Sequence, residues 1–413
     1  MNSSFKILIV DHNFEFSGSL ISVSYLIKEF VKNRFEVFIL TKAGEKEKEF
    51  LTSLGSKVIS YSNSNFRSIT LSFHISDKTS PFSYQWFKNL IKDILYFFNG
   101  IFLSVKVINK VKPDLIYLNE YVTAQFALYA KLKSIPSVVH IRSLFIDQKF
   151  NFRIFILKTI LRKVVTLNFA ITELEAAQIG KEKKVNTIVV PEFLDESDFK
   201  TPPDLIHIKK KYGIGPNDKV ILFLGGINAI KGTLIFIKAI NKIKYPDTKF
   251  LIAGNIQNNP QVKKNYDYYI QCTELINSST RKNAINILGN VTNINEIISI
   301  ADIIVSCSVE SHFSRPIIEA WAQKKAVVAS DIQHNINLIN KGVDGILYPS
   351  NDSDSLAKAL DNLLYDENLR LRIAEKGLSK AKENFLATKN VKIILNALKK
   401  LANGNQSELT KNR

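Results

Sequence analysis

Val220-Ile221-Leu222-Phe223-Leu224-Gly225-Gly226-Ile227-Asn228-Ala229-Ile230-Lys231-Gly232-Thr233 is a five-residue apolar run, a loop with paired glycines, and the start of an apolar helix. An unbroken apolar run of that length predicts a strand buried on both faces. Paired glycines let the backbone approach a ligand closely. Free amides at the start of the helix favour a phosphate, and the Lys231 ammonium adds a movable positive charge. The loop is not a Walker loop, because Lys231 precedes Gly232 instead of following it. Standing alone, it also has a plainer reading, a glycine turn followed by a solvated lysine.

Working outward, the same strand-then-helix rhythm runs through both halves of the chain and predicts an α/β protein with parallel sheets covered by helices. Strands are expected at 6–10, 36–40, 57–60, 114–118, 137–141, 168–172 and 187–190, with a long helix around Tyr84–Val111. A second series is expected at 220–224, 250–253, 285–288, 303–307, 326–329 and 345–348. Between the two lies a polar stretch with Pro202-Pro203, Lys209–Lys211 and Gly213-Ile214-Gly215-Pro216. The domains expected are therefore 1–195, a linker 196–218, a second domain 219–388, and a C-terminal helix and frayed tail 389–413 packing back on the first domain. Two doubly wound, Rossmann-like domains facing each other would form a cleft at the carboxyl ends of their strands, so function is sought in the strand-to-helix loops.

Composition narrows the classes. The chain has 413 residues, 46% hydrophobic and 23% charged, enough apolar material for large cores. Fifty-six Lys and Arg against 38 Asp and Glu give a formal charge of +18, suited to anionic partners. Two cysteines, Cys272 and Cys307, make neither a disulfide framework nor a zinc cluster. The start at Met1 lacks a signal-peptide pattern, and the segment nearest to a membrane span, 94–105, is short and contains Asn99, Gly100 and Ser104, so a cytoplasmic protein is expected. Basic runs at Lys181–Lys184, Lys209–Lys211 and Lys399-Lys400 are scattered and lack aromatic RNA motifs or a zinc module, which argues against a nucleic-acid partner. Asp352-Ser353-Asp354 has the form of a metal site, but its place before a helix explains it as a cap, and no metal is assigned.

A second loop follows the strand at 303–307 and runs Ser308-Val309-Glu310-Ser311-His312-Phe313-Ser314-Arg315-Pro316 into a helix with Glu319, Ala320 and Trp321. Ser314 and Pro316 suit the cap and first turn. Glu319 sits among apolar neighbours, where a carboxylate needs hydroxyl or amide donors, and a polyhydroxylated ligand supplies them. Glu319 as a solvated or internally bonded helix residue and Glu310 as an ordinary loop charge are the plainer readings.

Lys231-Gly232, Phe313, Glu319-Ala320 and Ala326-Val327-Val328-Ala329-Ser330 match, in order and spacing, the pattern of glycosyltransferase family 4, the group 1 glycosyltransferases of GT-B fold, which the chain resembles over nearly its whole length. Asp344-Gly345-Ile346-Leu347 and Gly289-Asn290-Val291 extend the resemblance. The resemblance implies a nucleotide-diphosphate-sugar donor, retention of anomeric configuration, and no obligatory metal or cofactor. By it Lys231 binds the donor diphosphate, with Gly225 and Gly226 beside it. Glu319 binds the ribose, and Val291 offers main-chain contacts to the base. Glu310 with His312, Phe313, Ser314 and Arg315 surrounds the transferred sugar.

Three departures stand out. Gly226 occupies the place of an arginine beside the phosphates. Glu310 and Glu319 enclose eight residues where the family encloses seven, which puts Ser311 at the place of the first glutamate. Ser314 replaces a glycine. In the N-terminal half, Ser17-Gly18-Ser19 stands where a Gly-Gly loop touches the ligands, and Pro136-Ser137-Val138-Val139-His140-Ile141-Arg142 stands where a strand ends in a site histidine. Register favours Arg142, with His140 either lining the site or packing behind it. Arg142 and Arg315 are the candidates to replace the cation missing at Gly226.

The expected function is sugar transfer from a nucleotide sugar to a glycan or lipid-linked acceptor in cell-surface polysaccharide synthesis. Peripheral contact with the inner face of an anionic cytoplasmic membrane is expected from the charge and from the aromatic segment around Tyr96, Phe97, Phe98, Ile101 and Phe102, for which a core helix is the plainer reading. A sugar-binding protein without activity and a nucleotide-sugar epimerase of the same fold remain the alternatives.

Overall fold

The computed structural model describes all residues except 1–4, 13–17, 62–68, 72–82, 146–151, 181–185, 203 and 403–413. Ser17, Pro203, the Lys181–Lys184 run and the C-terminal tail thus lie outside the described residues.

In chain order the elements are β1 (Lys6–Val10), α1 (Gly18–Lys32), β2 (Glu36–Thr41), α2 (Glu45–Ser53), β3 (Lys57–Ser60), α3 (Tyr84–Val111), β4 (Leu115–Leu118), α4 (Phe126–Leu132), β5 (Ser137–Ile141), α5 (Phe152–Lys163), β6 (Leu167–Ala170), α6 (Glu173–Ile179) and β7 (Thr187–Val189). There follow α7 (Leu205–Lys211), β8 (Lys219–Phe223), α8 (Thr233–Ile240), β9 (Thr248–Ala253), α9 (Lys263–Asn277), β10 (Ile285–Gly289), α10 (Ile294–Ser299), β11 (Ile303–Ser306), α11 (Arg315–Ala322), β12 (Ala326–Ser330), α12 (Gln333–Leu338), β13 (Ile346–Tyr348), α13 (Ser353–Tyr365), α14 (Glu367–Asn384) and α15 (Ala387–Ala402).

Residues 1–193 with 387–413 form one unit, and Leu194–Leu386 the other. In the first, the strands run in the order β3-β2-β1-β4-β5-β6-β7; in the second, β10-β9-β8-β11-β12-β13. Every pairing is parallel. Alternation along β1 feeds two cores: Ile7 and Ile9 join the cluster under α1 and α15, while Leu8 and Val10 join the one under α3, α4 and α5. In β8, Ile221 and Phe223 pack toward α8, α9 and α13, and Val220 and Leu222 toward α10 and α11. Both sheets are therefore covered on both faces, which is why their strands are almost wholly apolar.

Some local readings change. The strand expected at 168–172 is observed at Leu167–Ala170, because the Thr172 side chain caps α6 by accepting from the Leu174 amide. Residues 196–218 are part of the second unit and not a free linker: they contain a 3-10 turn (Glu196–Phe199) and α7, and Ile208 and Ile214 are buried in its core. Asp352 caps α13 through the amides of Asp354 and Ser355.

Helix α15 lies in the first unit, burying Val391, Ile394, Leu398 and Leu401 in the same core as α1. Its Asn390 side chain donates to the carbonyls of Pro191 and Glu192 at 3.2 and 3.1 Å and so fixes the corner that follows β7.

Candidate functional site

Strand order reverses direction between β8 and β11, and the crevice at the carboxyl ends of such a pair is where open parallel sheets bind ligands. The two loops singled out in the sequence leave these two strands. They are tied together by the Val309 amide, which donates to the Ile230 carbonyl at 3.0 Å. The Lys231 ammonium lies 2.6 Å from His312 Nε2. His312 Nδ1 is 2.8 Å from the Glu310 carbonyl, so Nδ1 carries the proton and Nε2 accepts from the lysine. Burial pushes the Lys231 pKa down to about 8.

The glycines here are required by close approach. Gly226 has φ +60°, and a Cβ there would lie 2.0 Å from the Asn255 carbonyl oxygen. The loop after β8 is stitched to the one after β9 by Gly226 N–H to Ala253 O and Ile227 N–H to Asn255 O, at 2.8 and 3.0 Å. An arginine does not fit at 226 in this backbone, so the missing cation is part of how the loop is built. Gly232, with φ +75°, caps α8 where a Cβ would meet the Cys307 carbonyl oxygen at 2.0 Å.

On the β11 side, Ser314 stands at the cap position of α11 but makes no capping bond; its hydroxyl pairs with that of Ser306 at 2.9 Å. Arg315 Nε donates to Glu319 Oε1 at 2.8 Å, both side chains nearly buried. Glu319 thus meets the requirement for a donor from within its own helix, and Arg315 is committed to it. Ser311, at the place of the family's first glutamate, bonds His334 Nδ1 at 2.7 Å. The neighbouring Glu310 has a buried carboxylate oxygen, Oε2, with no hydrogen-bond partner. Phe313 packs beside Phe385, with ring centroids 6.5 Å apart, and Val291 is partly buried against the same core.

The first unit has its own switch point, between β1 and β4. There Asn119 Nδ2 donates to Asp11 at 2.8 Å and to Ser19 at 3.0 Å, and Asn119 Oδ1 accepts from Arg142 Nε at 3.0 Å. Arg142 is ion-paired with Glu192, which also accepts from Ser22 Oγ at 2.6 Å. Gly18 is the exposed first residue of α1. His140 is fully buried: Nδ1 meets the Tyr117 hydroxyl at 2.6 Å and Arg142 Nη2 at 3.2 Å, and Nε2 has no partner. Burial and the neighbouring guanidinium hold its pKa well below the ordinary histidine value. His140 is therefore a core residue, and of the two it is Arg142 that reaches the strand ends.

Sequence reasoning missed Glu120, Glu192 and His334. Glu120 has a positive φ of 144°, a conformation that costs an L-residue about 1–3 kcal/mol. It is held there by donors from the Tyr121 amide, the Arg142 amide and Ser143 Oγ, and burial pushes its pKa up to about 7. The only sequence signal was its position just past an apolar strand. Among the described residues no cluster of His, Cys, Asp and Glu is arranged to hold a metal ion.

The family model described as "Glycosyl transferases group 1" matches residues 206–380. An alpha-D-kanosaminyltransferase of Streptomyces kanamyceticus is 27% identical over 43% of this chain and 44% of the relative. An N,N'-diacetylbacillosaminyl-diphospho-undecaprenol alpha-1,3-N-acetylgalactosaminyltransferase of Campylobacter jejuni is 28% identical over 40% and 41%. The match thus spans less than half the length of these curated relatives. The crystal structure of Anabaena Alr3699/HepE in complex with UDP and glucose shares the fold, with a TM-score of 0.77 at 20% identity over 96% of this chain and 99% of that one. Two parallel sheets, each wound on both faces, give the chain the GT-B fold, and within the second unit residues 206–380 match the group 1 glycosyltransferase model.

Proposed function

We propose that the protein transfers a sugar from a nucleoside-diphosphate sugar to a glycan or lipid-linked acceptor, with retention of configuration, in the synthesis of a cell-surface polysaccharide. The observation that carries this is the junction of the two strand-end loops, where Lys231 meets His312 at the start of α8. A fixed cation and helix amides stabilise the charge that develops on a leaving diphosphate. Lys231 and the α8 amides hold that diphosphate, and the unpartnered Glu310 oxygen accepts a hydroxyl of the transferred sugar. Glu319, oriented by Arg315, takes the ribose hydroxyls, and the backbone at Val291 meets the base. The solved neighbour holds UDP and glucose, and a curated relative acts on an undecaprenol-linked acceptor, which supports this donor and acceptor chemistry. In the first unit, Arg142, fixed by Glu192 and Asn119, faces the acceptor. Such an acceptor places the protein peripherally at an anionic membrane.

The glycine at 226 favours a second reading, sugar binding without transfer, because one phosphate-neutralising charge is absent by construction. Screening nucleotide sugars for protection against thermal unfolding, then following nucleotide release with and without a lipid-linked acceptor, separates them. Acceptor-dependent nucleotide release supports transfer. Protection with neither release nor a new nucleotide sugar supports binding alone; an epimeric nucleotide sugar formed without acceptor points to an epimerase, and nucleotide release without acceptor to hydrolysis by water.

A further inference from the structure

Helix α3 has two apolar sides. One packs into the first unit's core through Leu103, Val107, Ile108 and Val111. The other is exposed and consists of Tyr84, Phe87, Ile91, Leu95, Phe98 and Phe102, with Tyr84 82% and Phe102 62% accessible. Steps of three and four residues place these six on one stripe about five turns long. Aromatic side chains bury on the order of 200 Å² each when covered, so this stripe is as large as the largest patches that monomeric proteins leave open. Lys88, Lys92, Lys106 and Lys110 are exposed on the same helix, and its single acidic residue, Asp93, is buried. Helix α5 covers the same face of the sheet and adds exposed Phe155 and Ile156.

We propose that this side of α3 is a docking face for an anionic lipid bilayer, on which the helix lies flat with its aromatic stripe in the headgroup–acyl boundary and its lysines among the lipid phosphates. An amphipathic helix with a basic polar side and large apolar residues binds in this way. Charge selects the occupant: a second copy of the same face would bring lysines against lysines, whereas an anionic surface stabilises each of them. Among the described residues no helix is long and apolar enough to cross a membrane, so the helix lies on the surface and does not span it. The proposal deepens the lipid-linked-acceptor reading and rests on it for its purpose.

The test is co-sedimentation with vesicles of phosphatidylglycerol and phosphatidylcholine, compared with pure phosphatidylcholine, for the full chain, for Phe98→Ser/Phe102→Ser and for Lys88→Gln/Lys92→Gln. The full chain is expected to bind the anionic vesicles and to be released by salt. Both double variants should bind at least tenfold more weakly, while retaining the nucleoside-diphosphate affinity and far-UV spectrum of the full chain. Undiminished sedimentation of either folded variant overturns the proposal, as does a stable dimer that the phenylalanine substitutions dissociate. Loss of nucleotide binding by the unaltered chain, with vesicle binding intact, overturns the donor reading alone.

Discussion

At the first unit's switch point the polar groups are already paired with one another: Asp11, Asn119, Arg142 and Glu192 form a buried network that reaches Ser19 and Ser22. At the second unit's switch point Ser311 pairs with His334 and Arg315 with Glu319, but two charged groups beside them are left without an ionic partner among the described residues. The Lys231 ammonium lies 2.6 Å from His312 Nε2, and a Glu310 carboxylate oxygen is buried without a partner. Equivalent places in two sheets of the same kind thus carry opposite arrangements. A closed network positions one guanidinium at fixed geometry, whereas an open set holds charge that a bound diphosphate and its sugar would satisfy. The difference is what the proposed function rests on when it puts the donor in unit two and the acceptor beside the paired network of unit one.

The comparison breaks most visibly in unit one. Glu192→Ala leaves the Arg142 guanidinium buried and unpaired, and denaturant unfolding should show a loss of about 3–5 kcal/mol; a loss below about 1 kcal/mol would mean the network is not closed. Next comes Gly226→Ala, which adds a Cβ against the Asn255 carbonyl at positive φ. It should destabilise the second unit by about 2 kcal/mol or more and weaken nucleotide binding at least tenfold, read by thermal unfolding with and without nucleoside diphosphate.

Titration sharpens the contrast further. Burial raises the Glu120 pKa to about 7, so between the unfolded carboxyl value and pH 7 the folded state holds the extra proton. Stability from this group is complete below the unfolded pKa and is lost as pH rises through 7, on the order of 3 kcal/mol. Glu120→Gln should flatten that slope in unfolding curves taken from pH 4.5 to 8. Lys231 has the opposite sign: its lowered pKa makes the second unit gain stability as pH rises from about 8 toward the unfolded lysine value. The smallest effect is Asp352→Ala, which removes the cap of α13, a helix that carries none of the candidate site residues, and should cost about 1 kcal/mol with nucleotide affinity unchanged.

What was legible in the sequence follows from the same physics. All thirteen expected strands are found among the described residues, because strands buried on both faces leave continuous apolar runs such as Val220–Phe223 that no turn residue interrupts. The second unit's loops were legible because their chemistry is local: Lys231 and Gly232 are adjacent, and Glu310 to Glu319 lie in one segment. The first unit's network was not, since Arg142 and Glu192 are fifty residues apart and nothing in either neighbourhood announces the other. The segment 196–218 resembles a linker by its prolines, glycines and lysines, and only the burial of Ile208 and Ile214 shows otherwise. Helix α3 was ambiguous for a related reason. Periodicity finds the apolar side that packs inward, but a helix apolar on both sides does not say which one faces out, and Tyr96 and Phe97 pack against the core while Phe98 and Phe102 stand in solvent.

The central claim is that the Lys231 ammonium grips the diphosphate of the donor. Calorimetric titration of the full chain and of Lys231→Met with nucleoside diphosphate, from pH 6.5 to 9, tests it most directly. The account predicts measurable binding by the full chain that weakens as pH rises past about 8, and affinity at least tenfold lower and independent of pH for the methionine variant. Equal affinity for the two proteins across that range would contradict it.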